Sequence, residues 1–387
     1  MHFVTNRPVR IAVIGVGNAG GAHARDLSAG SVEGAELAAV CDVNPRALSA
    51  FTGIAKFVES EALIRSGLVD AVLIATPHYQ HAPIAIDAIC AGLHVISEKP
   101  LAVHKADAQR MLEAYERRPF ASQIFGELFG LRFDARYAGL RSLIQTGELG
   151  ELRRVQWTLT TPFRPEAYYR RSRWRGTWSG EGGGVLLNQC PHALDLWQWL
   201  FGMPERVRAF CRFGRFHEIE VEDDVTAHLE HSTGMSGVFV ATTGEAPGID
   251  RLEVVGDSAT VVLDQERFEL FRNNVAASEY SRTALGGRPS VTRREIVVEN
   301  RGSSRLAVLD NCVRAMRGEA ELEVPAADGI SSVELANAMI YSTLREETVS
   351  LPLDAAAYDA LLKELILESG GAAAHRRPVL TPRSKTR

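Results

Sequence analysis

Val9-Arg10-Ile11-Ala12-Val13-Ile14-Gly15-Val16-Gly17-Asn18-Ala19-Gly20 decides how the N-terminal part of this chain folds. Residues 9–14 are an apolar run of the length and kind expected of a buried parallel strand. Glycines then fall at G-x-G-x-x-G spacing, and a helical pattern continues through about Leu27. Each glycine answers a different demand: Gly15 permits a tight turn, Gly17 lets a pyrophosphate approach the backbone, and Gly20 lets helix and strand pack closely. The helix start offers free N–H groups and the positive end of a dipole to phosphates. Leu37–Cys41 reads as the second strand, and Asp42 ends it 22 residues past Gly20, where a carboxylate accepts from ribose hydroxyls. Glycine spacing alone is a weak signal. The strand before it, the helix after it and the acid beyond make it a dinucleotide site. A carboxylate at 42 repels a 2′-phosphate, so NAD is expected over NADP, with Arg46 keeping NADP in play. The expected cradle is Gly15, Val16, Gly17, Asn18, Ala19 and Gly20 with Asp42, Val43 and Arg46.

The alternation continues outward. Pro45 suits a first helical turn and predicts a helix there. Val69–Ala75 predicts a third strand ended by Thr76-Pro77, and a helix follows over Ala82–Ala91, stopped by Gly92. His94–Ser97 predicts a fourth strand ended by Glu98-Lys99-Pro100, Lys105–Arg117 a helix, and Ser122–Glu127 a fifth strand. Strands alternating with helices make a doubly wound parallel α/β sheet of Rossmann type, assigned to residues 1–128. The rhythm then changes. A helix is predicted over Ala135–Thr146, a strand over Leu152–Thr161 and a helix over Pro191–Leu200. Short β-branched and aromatic runs follow from Arg206 to Phe271, and helices return at Arg305–Met316 and Asp328–Glu346. Residues 129–368 are therefore expected to form an α+β substrate-binding and oligomerisation domain, an open, mostly antiparallel sheet with helices on one face. Residues 369–387, rich in Gly, Ala, Pro and Arg, are expected to be a disordered tail.

Composition narrows the function classes. The 387 residues carry a net charge of −5, which supplies no basic footprint for nucleic acid or membrane partners. Five widely spaced cysteines without a Cys-x-x-Cys pair argue against a disulfide framework or zinc knuckle. With no signal-peptide core, a cytoplasmic location is expected. The eleven histidines have no metal-ligand spacing, so no metal is expected. Gly182-Gly183-Gly184 lacks the Lys-Ser/Thr that follows a phosphate-binding P-loop and reads as a close backbone approach.

Two further segments carry a resemblance. Thr76-Pro77, His81 and Gly92-Leu93-His94-Val95-Ile96-Ser97-Glu98-Lys99-Pro100 form the first. Gly182-Gly183-Gly184-Val185-Leu186-Leu187-Asn188-Gln189-Cys190-Pro191-His192-Ala193-Leu194-Asp195 forms the second. Together with the glycine loop, and in this order, they resemble the Gfo/Idh/MocA oxidoreductases, the glucose–fructose oxidoreductase and inositol dehydrogenase kind. The resemblance implies NAD-dependent oxidation of a secondary alcohol on a sugar, glycoside, anhydrosugar or inositol by a homodimer or homotetramer. It makes His192 the general acid/base. Lys99 is its assistant, with a pKa expected to be lowered by the nearby cationic nicotinamide. By themselves these two residues would read as a histidine at a helix start and a lysine in a turn.

The family carries Asp at position 188 in many members. Asn188 takes up no proton, so it is expected to bind a substrate hydroxyl while His192 and Lys99 handle protons. Asp195 is expected to orient His192 or cap its helix. Thr76, Pro77, His81 and Glu98 are expected beside the cofactor, with a helix-start role the plainer reading of His81 and a bracing role that of Glu98. His78 and Tyr79 share that loop and are placed near the nicotinamide side. Arg164, Tyr168, Tyr169, Trp174 and Trp178 form an aromatic and basic cluster suited to sugar faces and rims. Arg164, Tyr168 and Trp174 are expected to reach substrate, and Trp197 and Trp199 to belong to the core. Two rivals use the same cofactor: a redox-neutral lyase working through a transient keto-sugar, and a non-catalytic NAD sensor.

Overall fold

In the computed structural model, which describes residues 7–299 and 302–372, the first unit runs from a buried strand at residue 9 through alternating strands and helices. They are β1 (Val9–Ile14), α1 (Asn18–Ser28), β2 (Ala35–Cys41), β3 (Ala55–Phe57), α2 (Ser60–Ile64), β4 (Ala71–Ile74), α3 (His81–Cys90), β5 (His94–Ser97), α4 (Lys105–Glu116) and β6 (Phe125–Glu127). The strands form one sheet in the order β3-β2-β1-β4-β5-β6, and every pairing is parallel. The winding reverses at β1, so the crevice beyond the ends of β1 and β4 is the switch point where such sheets bind ligands. Register places Cys41, Ile14, Ile74, Ser97 and Glu127 in one row across the C-terminal edge. Asp42, Gly15, Ala75 and Glu98 therefore leave the sheet side by side.

The expected helix at Pro45 is a short 3-10 turn over Ala47–Ala50. The three-residue β3 was invisible because so short a run shows no alternation. The fifth expected strand shrinks to β6 because Gln123 turns its amide back onto the carbonyls of Ile89 and Leu93.

The second unit holds α5 (Ala135–Gln145), β7 (Leu152–Leu159), α6 (Glu166–Arg170), α7 (Val185–Asn188) and α8 (Pro191–Phe201). Next come β8 (Arg206–Phe213), β9 (Glu222–Glu230), β10 (Ser236–Thr242), β11 (Asp250–Gly256), β12 (Ala259–Asp264), β13 (Arg267–Asn273), α9 (Ala277–Thr283) and β14 (Val291–Glu295). The chain ends in α10 (Ser304–Met316), α11 (Ala326–Leu344), β15 (Val349–Ser350) and α12 (Ala355–Ala372). Nine strands pair in the order β14-β13-β12-β11-β7-β10-β9-β8-β15, antiparallel except for β7 beside β10. One face buries Trp157, Phe239 and Leu229 against Trp197 of α8 and Met339 of α11.

The open face carries the ion pairs Arg154–Glu253, Arg251–Asp264 and Arg206–Glu230, with Phe210 exposed beside them. Helix α10 returns to the first unit, packing Val308, Leu309, Cys312 and Val313 among Ile11, Val13, Leu73 and Ile96. Helix α12 overrides the expected tail at its start: with Tyr358, Leu361 and Leu362 buried along one stripe, it continues through Ser369 to Ala372. The rest of that expected tail, 373–387, lies outside the described residues.

Candidate active site

The glycine loop is built as its spacing requires. Gly15 has φ +86°, and a side chain there would meet the Ala75 carbonyl oxygen at 2.7 Å. A Cβ on Gly20 would overlap the Gly15 carbonyl oxygen, so α1 can lie this close to β1 only without one. A Cβ on Gly17 would meet nothing within 4 Å. Space over Gly17 is open to an incoming group, and α1 starts there without a side-chain cap. Asp42 is fixed by two amides, Val16 N at 2.9 Å and Asn44 N at 2.8 Å. Val43 and Arg46 are exposed beside it.

Buried polar atoms near the sheet edge with no hydrogen-bond partner include Thr76 Oγ1, His23 Nδ1 and His192 Nδ1. Such atoms in a folded protein call for a ligand or ordered water. A cavity of about 200 Å³ lies between His23, Glu98, Leu128, Gly130 and His192 on one side and Arg305 and Val308 of α10 on the other. The open Gly17, the fixed Asp42 charge and these unpaired atoms fit a bound dinucleotide. Gly15 to Gly20, Asp42 and Thr76 are the residues that would hold it.

Glu98 is braced as expected. One oxygen lies 2.8 Å from His23 Nε2 and the other accepts from Lys99 N at 3.2 Å. Burial opposes its ionisation, but His23, Lys99 and His192 outweigh burial and hold the carboxyl down at about 2. Lys99 leaves β5 partly buried and donates from Nζ to the main-chain oxygen of Asn188 at 2.5 Å. Its pKa is lowered, first by burial and then by Arg175 and Arg164, while Glu98 and Glu181 oppose the shift. Desolvation by the chain itself thus supplies the lowering that the sequence reading assigned to the cofactor's charge. His192 stands at the start of α8 with Phe129 edge-on to its ring, centroids 5.8 Å apart. Burial and the Lys99 charge push its pKa down to about 4, so its ring is neutral near pH 7.

The aromatic and basic cluster of the second unit gathers around Tyr168. Its hydroxyl faces Asn188 Oδ1 at 3.4 Å and accepts from Arg175. The guanidinium carbons of Arg164 and Arg175 lie 5.0 and 4.3 Å from its ring centre. Arg175 also covers Trp174, whose ring meets His78 edge-on. Asn188 spends its Nδ2 on Glu181. Arg175 and Glu181 join this cluster, and the sequence did not single them out for it. The signal was present, since both border segments that were singled out, but nothing local marks a lone acid as buried.

His81 starts α3, the plainer of its two readings, and turns its ring nitrogens to the main-chain oxygens of Pro100 at 2.8 Å and Thr76 at 2.9 Å, so it ties two loops together. His78 faces the main-chain oxygen of Glu181, and Tyr79 donates to that of Trp178, so both lock the first unit to the second. Asp195 neither orients His192 nor caps α8: it pairs with the buried Arg132 and accepts from Gln198. Tyr169 and Trp178 are buried, and Trp197 is core as expected. Trp199 is half-buried and packs against that core, with the Arg141 guanidinium carbon 4.0 Å from its ring centre. The Gly182–Gly184 turn packs against Val103 and the Glu222 main chain, and the Glu222 carboxylate accepts from Gly184 N and Leu186 N. Among the described residues there is no group of ligands for a metal, and no helix is long and apolar enough to cross a membrane.

A glycine loop and a fixed acid at the switch point of a doubly wound sheet define a dinucleotide-binding crevice, and a lysine and a histidine from two units lie beside it. Residues 9–123 match the oxidoreductase family with an NAD-binding Rossmann fold, and residues 137–262 match the GFO/IDH/MocA C-terminal domain. The chain belongs to the GFO/IDH/MocA family. It is 37% identical over 164 residues to an inositol 2-dehydrogenase of Arthrobacter sp., 41% of this chain and 48% of that one. It is 29% identical over 270 residues to the myo-inositol 2-dehydrogenase of Thermotoga maritima, 67% of this chain and 76% of that one. The alignment thus spans about half of the first relative's length. Among solved structures, the WlbA dehydrogenase of Bordetella pertussis, in complex with NADH and UDP-GlcNAcA, superposes with a TM-score of 0.75. It shares 27% identity, with 90% of this chain and 100% of that one covered.

Proposed function

We propose that this chain is an NAD-dependent dehydrogenase that interconverts a secondary alcohol and a ketone on a sugar, glycoside, anhydrosugar or inositol. The observation that carries the reading is the placing of Lys99, from the parallel-sheet edge, and His192, from the start of α8, around Glu98: the charges of both act on that carboxyl, and the Lys99 charge acts on His192. The inositol dehydrogenase relatives and the WlbA complex with a sugar nucleotide support a carbohydrate or cyclitol substrate.

Oxidation of an alcohol needs a hydride acceptor, which bound NAD supplies, and a base for the hydroxyl proton, which the chain must supply. His192 is that base: neutral at pH 7, half-buried, and with a buried ring nitrogen that has no partner. In the reverse direction it returns the proton. Lys99 donates a hydrogen bond to the reacting oxygen and stabilises the charge that grows there. The Asn188 amide, Tyr168 and Arg164 orient the remaining hydroxyls, and Trp174 offers an apolar face beside them. Asp42, held by two amides, selects NAD by repelling a second phosphate.

The test is a panel of inositols, monosaccharides and glycosides with NAD and with NADP, followed by absorbance of the reduced nicotinamide. Turnover with NAD and at least one polyol is expected. Silence across the panel, or a wide preference for NADP, overturns the reading.

A further inference from the structure

Lys99 is caught between opposed charges. Arg164 and Arg175 disfavour its ammonium form, while Glu98 and Glu181 favour it. Glu98 is already engaged by His23 and by the Lys99 amide. Glu181, only 1% exposed, has no comparable cation held at hydrogen-bond distance: Arg175 is 4.0 Å away. Its carboxylate accepts instead from Gly176 N at 2.6 Å and from the Asn188 amide. That second bond fixes which way Asn188 points. With Nδ2 turned to Glu181, Oδ1 is turned to the Tyr168 hydroxyl. The same residue's main-chain oxygen receives Lys99 Nζ.

We propose that Glu181 is the positioning acid of this site: its charge supports the Lys99 ammonium, and its hydrogen bond sets the Asn188 amide so that Oδ1 faces the substrate side as an acceptor. The uncharged Asn188 cannot do the first of these, and free rotation of its amide would undo the second. The inference rests on the reading of Lys99 and His192 as the proton-handling pair and adds a third group that acts through Lys99 and Asn188. The surroundings are consistent. Burial raises the Glu181 pKa to about 7, opposed by Gly176, Asn188, Arg175 and Lys99. Glu222 and Tyr169 also feel its charge, and His78 faces its main-chain oxygen. A carboxyl poised near neutrality beside the reacting lysine couples that lysine's charge to pH.

The experiment uses Glu181→Gln, which keeps an acceptor for Gly176 and removes the charge. Lys99 titration is read on the whole protein without substrate, from the pH dependence of its labelling by acetic anhydride. The profile is expected to move about one pH unit toward acid in the variant, because the charge that favoured the ammonium is gone. In steady-state assays kcat is expected to fall about tenfold or more, with the NAD dissociation constant unchanged within about twofold. Asn188→Asp added to Glu181→Gln is expected to restore the labelling profile and most of kcat, which repair of a merely structural contact would not do. If Glu181→Gln does not fold, Glu181→Asp, which draws the charge back by one methylene, is expected to shift the profile the same way by less. A Lys99 profile identical to wild type in the folded variant overturns the proposal. A wild-type protein that oxidises no polyol, with the shift still seen in Glu181→Gln, overturns the proposed function and leaves the Glu181–Lys99 coupling standing.

Discussion

Nε2 of His23, in the helix that follows the glycine loop, lies 2.8 Å from Oε1 of Glu98, in the turn that follows β5. The contact joins the cofactor loop to the Lys99 turn, and both side chains border the cavity that His192 faces. Replacing His23 with Phe leaves a buried carboxylate oxygen unsatisfied. The expected loss is about 1–3 kcal/mol, read from urea unfolding at pH 7. A variant as stable as wild type would show that the contact is not held in solution.

The same carboxylate sets an acid limb on stability. Burial alone would raise its pKa, but His23, Lys99 and His192 bring it down to about 2, below the unfolded value of 4.5. A depressed pKa means the folded state holds fewer protons than the unfolded chain between those values. The contribution is whole above about pH 4.5 and is lost as the pH falls toward 2. Glu98→Gln should therefore flatten the stability–pH curve in that window and nowhere above it. A curve parallel to wild type between pH 2 and 4.5 refutes this.

The rate should follow His192. Oxidation needs its neutral ring, so kcat/KM is expected to rise through about pH 4 and then level off. An alkaline limb should follow below the ordinary lysine value, where Lys99, with its pKa lowered chiefly by burial, loses its proton. His192→Gln and Lys99→Met are each expected to cost about 10²–10⁴ in kcat/KM while NAD binding is retained. Stopped assays across the pH range with NAD affinity measured in parallel decide it; a wild-type rate in either variant removes that residue from the chemistry.

Asp195 tests a reading that the structure reversed. Its spacing from His192 suggested an orienting carboxylate, yet it holds Arg132, which also reaches Asp328. Arg132 and Asp195 are both almost fully buried. Asp195→Ala leaves the buried guanidinium with Asp328 as its remaining acid and is expected to cost about 3 kcal/mol in denaturant unfolding. The acid limb of kcat/KM should stay where it is in whatever fraction remains folded. A displaced limb would restore the orienting role.

How much was legible divides along a physical line. The parallel sheet and the glycine loop were readable because each is a local pattern, a strand, a turn and a helix start within about 30 residues, whereas Lys99 and His192 stood out only through the family resemblance of their segments. Elements too short for periodicity, such as β3 and β15, left no trace. The partners of Asp195 and His81 lay out of reach because Arg132 and Pro100 are brought to them by packing, and spacing along the chain carries no record of that. Glu181 was missed for the same reason. Its burial comes from the units around it, and an acid beside three glycines looks like any turn residue.

The glycine loop offers a test in which stability and binding separate. Gly17 has φ −65°, a conformation open to any residue, and a Cβ there meets nothing within 4 Å. Gly17→Ala should thus keep the unfolding free energy within about 1 kcal/mol of wild type. The methyl group would stand in the space where a pyrophosphate approaches, so NAD affinity should fall about tenfold or more. Gly20→Ala behaves differently, because its Cβ overlaps the Gly15 carbonyl and drives α1 away from β1. That variant should lose stability and binding together, by several kcal/mol in the first. Calorimetric NAD titration beside thermal unfolding reads both. Unchanged affinity in Gly17→Ala would mean that phosphates do not come to this loop, and the assignment of the crevice to a dinucleotide would fall with it.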